Sequence, residues 1–490
     1  MMFTRLFLGE PKLTCRPSSK MLRFFNFLVG LCFAIASTPA SAITSHSHKL
    51  FNVNSQVLEN GLHVISHFRD TSDKLSLQMV VNVGLADFPC DKHQVPHVLE
   101  HLLFDGTESF DGEFMRKRIK SLGGDWHGRT VEEYTHYTIE IHAHHAAVAF
   151  ETMQSMLMEP LLKAESLDKS IRIIHSELGT SDSKFKQLVH SELALSESTR
   201  ARLYPESNLD CTSKSFPDAV TLADVTQTYN AYYNASNMTL IIIGNFDQDN
   251  LDSLLETYIS PIKKGQLIQS NIDLDQPINY EPIELKSNYW ESDAYIRMLI
   301  RTVGNDHPDS IGLKLISDFL EERLFYEVRT KRGIGYTPYL ERTIGTRYGH
   351  IHAVSKTNGG WYKATVDAFE SVYQKIRKEG IPIEDINRLK QKQILDFESE
   401  EHKHSGIAQI YRHHRESIKE TGNMLNLVAE INKITPELTE QLIQKYFPPK
   451  PLIGVYRPPS LAENLVKILG IIALSAIVAL PILRRKRRHK

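Results

Sequence analysis

A chain of 490 residues, 41% apolar and 24% charged, is too long for one typical core and fits two domains of about 200 residues each. Its formal net charge of −2 conceals basic ends: residues 1–42 hold five basic and one acidic residue and 484–490 hold six basic, leaving 46 basic against 58 acidic between them. A body with a net charge of about −12 argues against nucleic acid as a partner and is compatible with basic peptides.

The first element is a leader. Met21-Leu-Arg-Phe-Phe-Asn-Phe-Leu-Val-Gly-Leu-Cys-Phe-Ala-Ile-Ala36 is a basic start followed by an apolar stretch, and Ala40-Ser-Ala42 supplies the small residues that suit cleavage. Residues 1–42 are therefore expected to be a signal peptide, with Met21 as an alternative start. After its removal only Cys90 and Cys211 remain, and an exported protein can join them, although sequence separation leaves their spatial approach open.

Leu75 to Gly84 alternates as a strand and leads through a loop into His97-Val98-Leu99-Glu100-His101. On a helix, residues three and four apart share a face, so His97, Glu100 and His101 stand beside one another. Two neutral imidazoles suit zinc, and a carboxylate beside the metal is the general base that peptide hydrolysis needs. The order H-x-x-E-H is the inverted form of the commoner zinc-protease helix motif. Leu102-Leu-Phe-Asp-Gly-Thr107 follows directly, then Leu122-Gly-Gly124, then a strand-like Tyr134–Ile141. Leu167 to Leu178 has apolar residues at helical spacing, with Glu177 in its last part, and Met238–Gly244 closes this half as a strand.

Residues 263–282 are polar and without regular periodicity, as a linker would be. Beyond them the pattern repeats. Tyr295 to Gly304 alternates like Leu75 to Gly84, and the helix that follows ends Leu320-Glu-Glu-Arg-Leu-Phe325, an echo of Leu99-Glu-His-Leu-Leu-Phe104 without its histidines. Pro451–Tyr456 is the closing strand. Leu465 to Leu483 has Lys467 as its only charge and would reach about 28 Å as a helix, close to the hydrocarbon thickness of a bilayer. Arg484 to Lys490 is a basic flank of the kind that stays cytoplasmic. Together with the leader, this predicts a single C-terminal span in a bacterial inner membrane, with the body in the periplasm.

On the H-x-x-E-H motif, on Glu177 standing 76 positions after His101, and on the segments between, the chain resembles the pitrilysin-type zinc peptidases, which include insulin-degrading enzyme and the mitochondrial processing peptidase. The resemblance covers about residues 47 to 457 and is strongest between Leu75 and Leu178. It implies an α+β fold of two homologous domains, 43–262 and 283–457, each a mixed sheet with helices packed on one face. It also implies one zinc ion per chain on His97, His101 and Glu177, with Glu100 as base. Val328-Arg-Thr-Lys-Arg-Gly-Ile-Gly-Tyr336 is similar to the family segment whose arginine and tyrosine reach the substrate, here Arg329 and Tyr336. A tyrosine hydroxyl there would stabilise charge building on the carbonyl oxygen. His127 stands where the family usually has an asparagine on the peptide main chain, and Ser170, with Asp168 close by, stands where an acidic residue often precedes the third ligand.

The expected activity is endopeptidase cleavage of peptides or small unfolded proteins, with the substrate added as a strand at a sheet edge. Relatives enclose substrate between two such domain pairs and this chain has one, so a homodimer, or a heterodimer with a metal-free relative, is expected. The alternative is a catalytically silent scaffold subunit of the same fold. Other histidines, in 142–145 and 402–414, repeat no ligand geometry and read as solvated surface.

Overall fold

The apolar strands read from the sequence form the centres of two sheets in a computed structural model of the protein. It describes residues 49–460 except 52, 179–190, 206, 212–215, 270, 271, 273, 275 and 288–291, together with 462–465 and 469. The leader expected at 1–42, most of the apolar run 465–483 and the tail 484–490 lie outside the described residues. Among those described, no helix is long and apolar enough to cross a membrane.

The first sheet has six strands: β1 Asn54–Val57, β2 His63–Phe68, β3 Lys74–Val81, β4 Asp125–Thr130, β5 Thr135–His142 and β6 Met238–Gly244, in the order β1-β2-β6-β3-β5-β4. The second has five: β7 Ile283–Lys286, β8 Asp293–Val303, β9 Tyr339–Ile344, β10 Tyr348–Asn358 and β11 Leu452–Arg457, in the order β7-β11-β8-β10-β9. Each is mixed, with one parallel pair (β2 with β6, β7 with β11) and antiparallel pairs elsewhere. Laying β7, β11, β8, β10 and β9 on β2, β6, β3, β5 and β4 preserves both chain order and neighbours. The repetition seen in the sequence is thus a repetition of topology.

Each sheet packs its own half's helices on one face. Leu75, Leu77, Met79 and Val81 of β3 share a core with the motif helix Val95–Leu103 and with helix Ala146–Met158. Ile296, Met298, Ile351 and Ala353 do the same with helices Asp309–Phe325 and Tyr362–Glu379. The opposite faces are covered by exchange. Ile65, Val80, Ile241 and Ile243 of the first sheet bury Ile407, Ala408 and Tyr411 of helix His404–His413, which comes from the second half. Leu299, Tyr348 and Leu452 of the second sheet bury Leu203 and Tyr204 at the end of helix Ser191–Leu203, which comes from the first. The Tyr204 hydroxyl donates to the Gly349 carbonyl at 2.9 Å. Burial from both sides explains why all seven residues of β6 are enclosed and why all but Thr239 are apolar or glycine. At roughly 1.5–3 kcal/mol per buried aliphatic side chain, these exchanged contacts bind the halves strongly.

The exchange corrects one expectation. His402, His142 and His144 are exposed, but His414 is buried and His413 is largely enclosed, because their helix lies on a sheet and not on the surface. Cys90 and Cys211 are joined, with Cα atoms 4.8 Å apart, tying the loop before the motif helix to the segment after Ser191–Leu203.

Burial keeps several imidazoles neutral. It pushes His63 down to about 4, His413 to about 3 and His136 to about 2, with neighbouring cations adding to the effect, and it holds His350 well below its ordinary range. Folded-state values below the unfolded value near 6.5 mean that the unfolded chain takes up protons first as the pH falls. Stability from these groups is therefore complete above about pH 7 and is lost progressively as the pH falls from 6.5 toward the folded values, about 4 for His63 and about 3 for His413. We expect the melting temperature to fall steadily over that window and the His136→Gln and His413→Gln variants to show a shallower slope; a flat profile in calorimetry would contradict the assignment.

Candidate active site

Pro96 in its first turn starts the motif helix, and Gln94 sits at the N-cap position. Gln94 does not cap the helix with its side chain. Instead its Oε1 lies 2.9 Å from His97 Nδ1, an arrangement in which Nδ1–H donates and the Nε2 lone pair is left free. His101 follows one turn on, with the two rings 5.0 Å apart between centroids. The third member arrives on helix Ala164–Glu177, which buries Leu167, Ser170 and Ile174 and packs against the motif helix. Asp168 is exposed and Ser170 brings no charge to the site.

Glu177 Oε2 lies 3.3 Å from His97 Nε2 and 3.5 Å from His101 Nε2. Two donors each about 2.0–2.1 Å from a tetrahedral zinc stand roughly 3.3 Å apart, so these spacings suit a shared cation. The three ligand atoms lie within 4.8 Å of one another, and among the described residues they are the metal-type cluster. Burial, with His101 nearby, pushes His97 down to about 4, and burial likewise lowers His101, so both rings are neutral ligands near pH 7. Glu177 ends its helix and His101 lies in the last turn of the other, so both present the negative ends of helix dipoles to this point. A carboxylate placed there is stabilised by a cation. The donor set therefore fits zinc.

Glu100 faces the same side but is buried, and burial pushes its pKa up to about 7 against a Thr130 hydrogen bond that favours the charged form. Thr130 Oγ1 donates to Glu100 Oε2 at 2.7 Å. Gly128, also on β4, makes room for the other oxygen: a Cβ there would sit 2.7 Å from Glu100 Oε1 and 2.8 Å from the Phe104 ring. A carboxylate near neutrality, held at one oxygen, can both accept and return a proton.

The second half keeps the frame of this site and fills it differently. Asp318, Glu321 and Glu322 occupy the helix positions of His97, Glu100 and His101. Glu321 Oε1 accepts from the Leu340 N–H on β9, as Glu100 accepts from Thr130 on β4. Asp318 and Glu322 are taken up by ion pairs to Lys314 and Arg388.

The sequence expectations divide here. His97, Glu100, His101 and Glu177 are brought together, whereas no hydrogen bond, ion pair or ring contact among the described residues links Arg329, Tyr336 or His127 to them. Arg329 and Tyr336 are exposed, the tyrosine N–H bonding the Lys356 carbonyl at 2.9 Å. His127 is exposed on β4, 3.8 Å from Asp125. Sequence reasoning missed Gln94, Thr130 and Gly128. Gln94 precedes His97 by three residues and so shares its helix face; the two β4 residues gave no local signal.

Because Gln94 fixes the ring and tautomer of His97, Gln94→Ala is expected to weaken zinc binding about 10- to 100-fold in chelator competition without unfolding the protein. An unchanged affinity would show that the contact does not orient the ligand.

Two family descriptions match the chain: Insulinase (Peptidase family M16) over residues 63–206 and Peptidase M16 inactive domain over residues 219–393. An uncharacterized zinc protease of Rickettsia felis is 22% identical over 343 residues, which are 67% of this chain and 77% of that protein. An insulin-degrading enzyme homolog of Dictyostelium discoideum is 26% identical over 208 residues, 42% of this chain and 21% of that protein, so the chain spans about a fifth of that relative. Among solved structures, a protease from Helicobacter pylori is similar with a TM-score of 0.71 at 16% identity, covering 83% of this chain and 100% of that one. The periplasmic protease PqqL from Escherichia coli gives 0.68 at 14% identity, covering 83% of this chain and 45% of that one. With both halves matched and the repeat preserved strand for strand, the chain belongs to the pitrilysin-type M16 peptidase family.

Proposed function

We propose that the protein is a zinc-dependent endopeptidase of peptides and small unfolded proteins. The observation that carries this reading is the convergence of Glu177 on His97 and His101, with the buried Glu100 carboxylate beside them. His97, His101 and Glu177 would hold one zinc ion per chain, which when bound supplies Lewis acidity toward water and the scissile carbonyl. Glu100 accepts the proton of the attacking water and returns it to the departing amine. Thr130 keeps the carboxylate turned to this task, and Gly128 leaves the space in which it sits.

The peptide would add as a strand to β4, the edge strand next to Glu100, with main-chain hydrogen bonds giving affinity and His127 beside it. Arg329 and Tyr336, exposed and apart from the metal cluster, are then best placed to serve a site across an interface. We favour two chains facing each other, each offering Arg329 and Tyr336 to the substrate of the other. The 45% coverage of PqqL, against 95% of its first half, supports the idea that two copies make one chamber. A heterodimer with a metal-free relative would satisfy the same geometry. A silent scaffold has less support, since the region matched as inactive, 219–393, contains none of the four converging side chains.

We also propose that the body works outside the cytoplasm, in a bacterial periplasm, anchored by residues 465–483. The basic–apolar start, the basic tail and the bonded pair Cys90–Cys211 support this, because disulfides persist in oxidising compartments.

Cleavage of quenched peptides by the full chain should vanish with a zinc chelator and return with zinc, and Glu100→Gln should lower kcat/KM by at least about 100-fold with zinc still bound. Activity indifferent to both would reject the reading. Gly128→Ala should cost about 100-fold in kcat while the melting temperature stays within a few degrees, because displacing the base by about an ångström is enough. Full activity in that variant would mean that Glu100 does not need its present place.

A further inference from the structure

The pleat of β4 decides what a peptide lying along it would meet. Trp126 packs on Phe104 with centroids 4.6 Å apart, and Gly128 and Thr130 face Glu100, so alternate residues of the strand look toward the motif helix. His127 and Arg129 therefore project from the opposite face. There His127 stands across from Thr138 and Arg129 across from His136, and the row continues inward to Val80 of β3. Arg412, from the exchanged helix, reaches the same face and donates to Gln78 Oε1 at 2.7 Å. His136 is held neutral by burial and by the charges of Arg412, His127 and Arg129 around it. The face thus carries two guanidiniums, Arg129 and Arg412, beside the imidazoles of His127 and His136, and it ends at an open strand edge. Among the described residues, Asp125 on this face is 3.8 Å from His127, Glu140 stands across from Asp125 and is paired with Lys74, and no ion pair joins an acidic group to Arg129.

We propose that His127 and Arg129 select substrates carrying an acidic side chain on alternate residues, those next in sequence to the residue that faces Glu100. This rests on the peptidase reading and sharpens it by naming the substrate class. In an added strand, side chains directly opposite His127 and Arg129 stand about 4.5–5.5 Å away, where opposite charges attract and like charges repel. The preference is opposite in sign to the attraction expected of the acidic body as a whole. The two act at different ranges: the net charge works over distances that salt screens beyond about 10 Å, whereas the cross-strand pair acts in contact.

The test uses a set of quenched peptides in which Glu, Gln or Lys is moved one position at a time past the cleaved bond. Cleavage by the full chain gives kcat/KM, and fluorescence anisotropy with full-chain Glu100→Gln gives binding of the same peptides without turnover. We expect Glu to be favoured over Gln about two- to fivefold at every second position, Lys to be disfavoured there, and the pattern to fade at high salt. Arg129→Gln should flatten the pattern and Arg129→Glu should reverse it, in cleavage and in binding alike. Glu100-dependent cleavage with no period-two charge preference, or with one that Arg129→Glu leaves unchanged, overturns this inference and spares the peptidase assignment. The charge pattern in binding, with no Glu100-dependent cleavage, overturns the peptidase assignment and supports this inference.

Discussion

A carboxylate from one helix must meet two imidazoles on another, and most of the first half of the chain serves that encounter. The motif helix is fixed by its apolar face on β3 and by contact with β4, and helix Ala164–Glu177 is fixed on the motif helix by three buried residues. With both neutral rings and the carboxylate held at the negative ends of two helices, the arrangement is electrostatically poised for a cation. The same scaffold encloses Glu100 on one side and leaves Glu177 half exposed on the other. One side chain is thereby kept near neutrality, while its neighbour remains open to an incoming ion.

Sequence made the local part of this legible. His97, Glu100 and His101 share a helix face by spacing alone, and the repeat of strand, loop and helix showed that only one half carries the histidine pair at the motif positions. Glu177 was reached through family resemblance, because no local pattern connects residues 76 apart. What stayed hidden has a common physical cause. Helical periodicity tells that His404–His413 has an apolar side, but not which sheet it lies on, so His413 and His414 read as surface. Likewise β4 supplies Thr130 and Gly128 to the site through tertiary contact, and neither residue type carries a signature of that use.

The two halves show how one topology serves two ends. At the same helix positions the first half places metal-type ligands and the second places Asp318 and Glu322, neutralised by lysine and arginine. Glu321 still accepts a hydrogen bond from the neighbouring edge strand, so the frame persists after its chemistry has been replaced by ion pairing.

The exchanged helices tie these unequal halves together. Were the gene divided at the connecting stretch, each product would present a bare greasy sheet surface and lack the element made to cover it. The repeat without the motif histidines is thus an obligate structural companion: deleting it would strip the lid from the back of the very platform on which the metal cluster is assembled. That mutual dependence gives a reason for such a lineage to retain a copy that has surrendered its ligands.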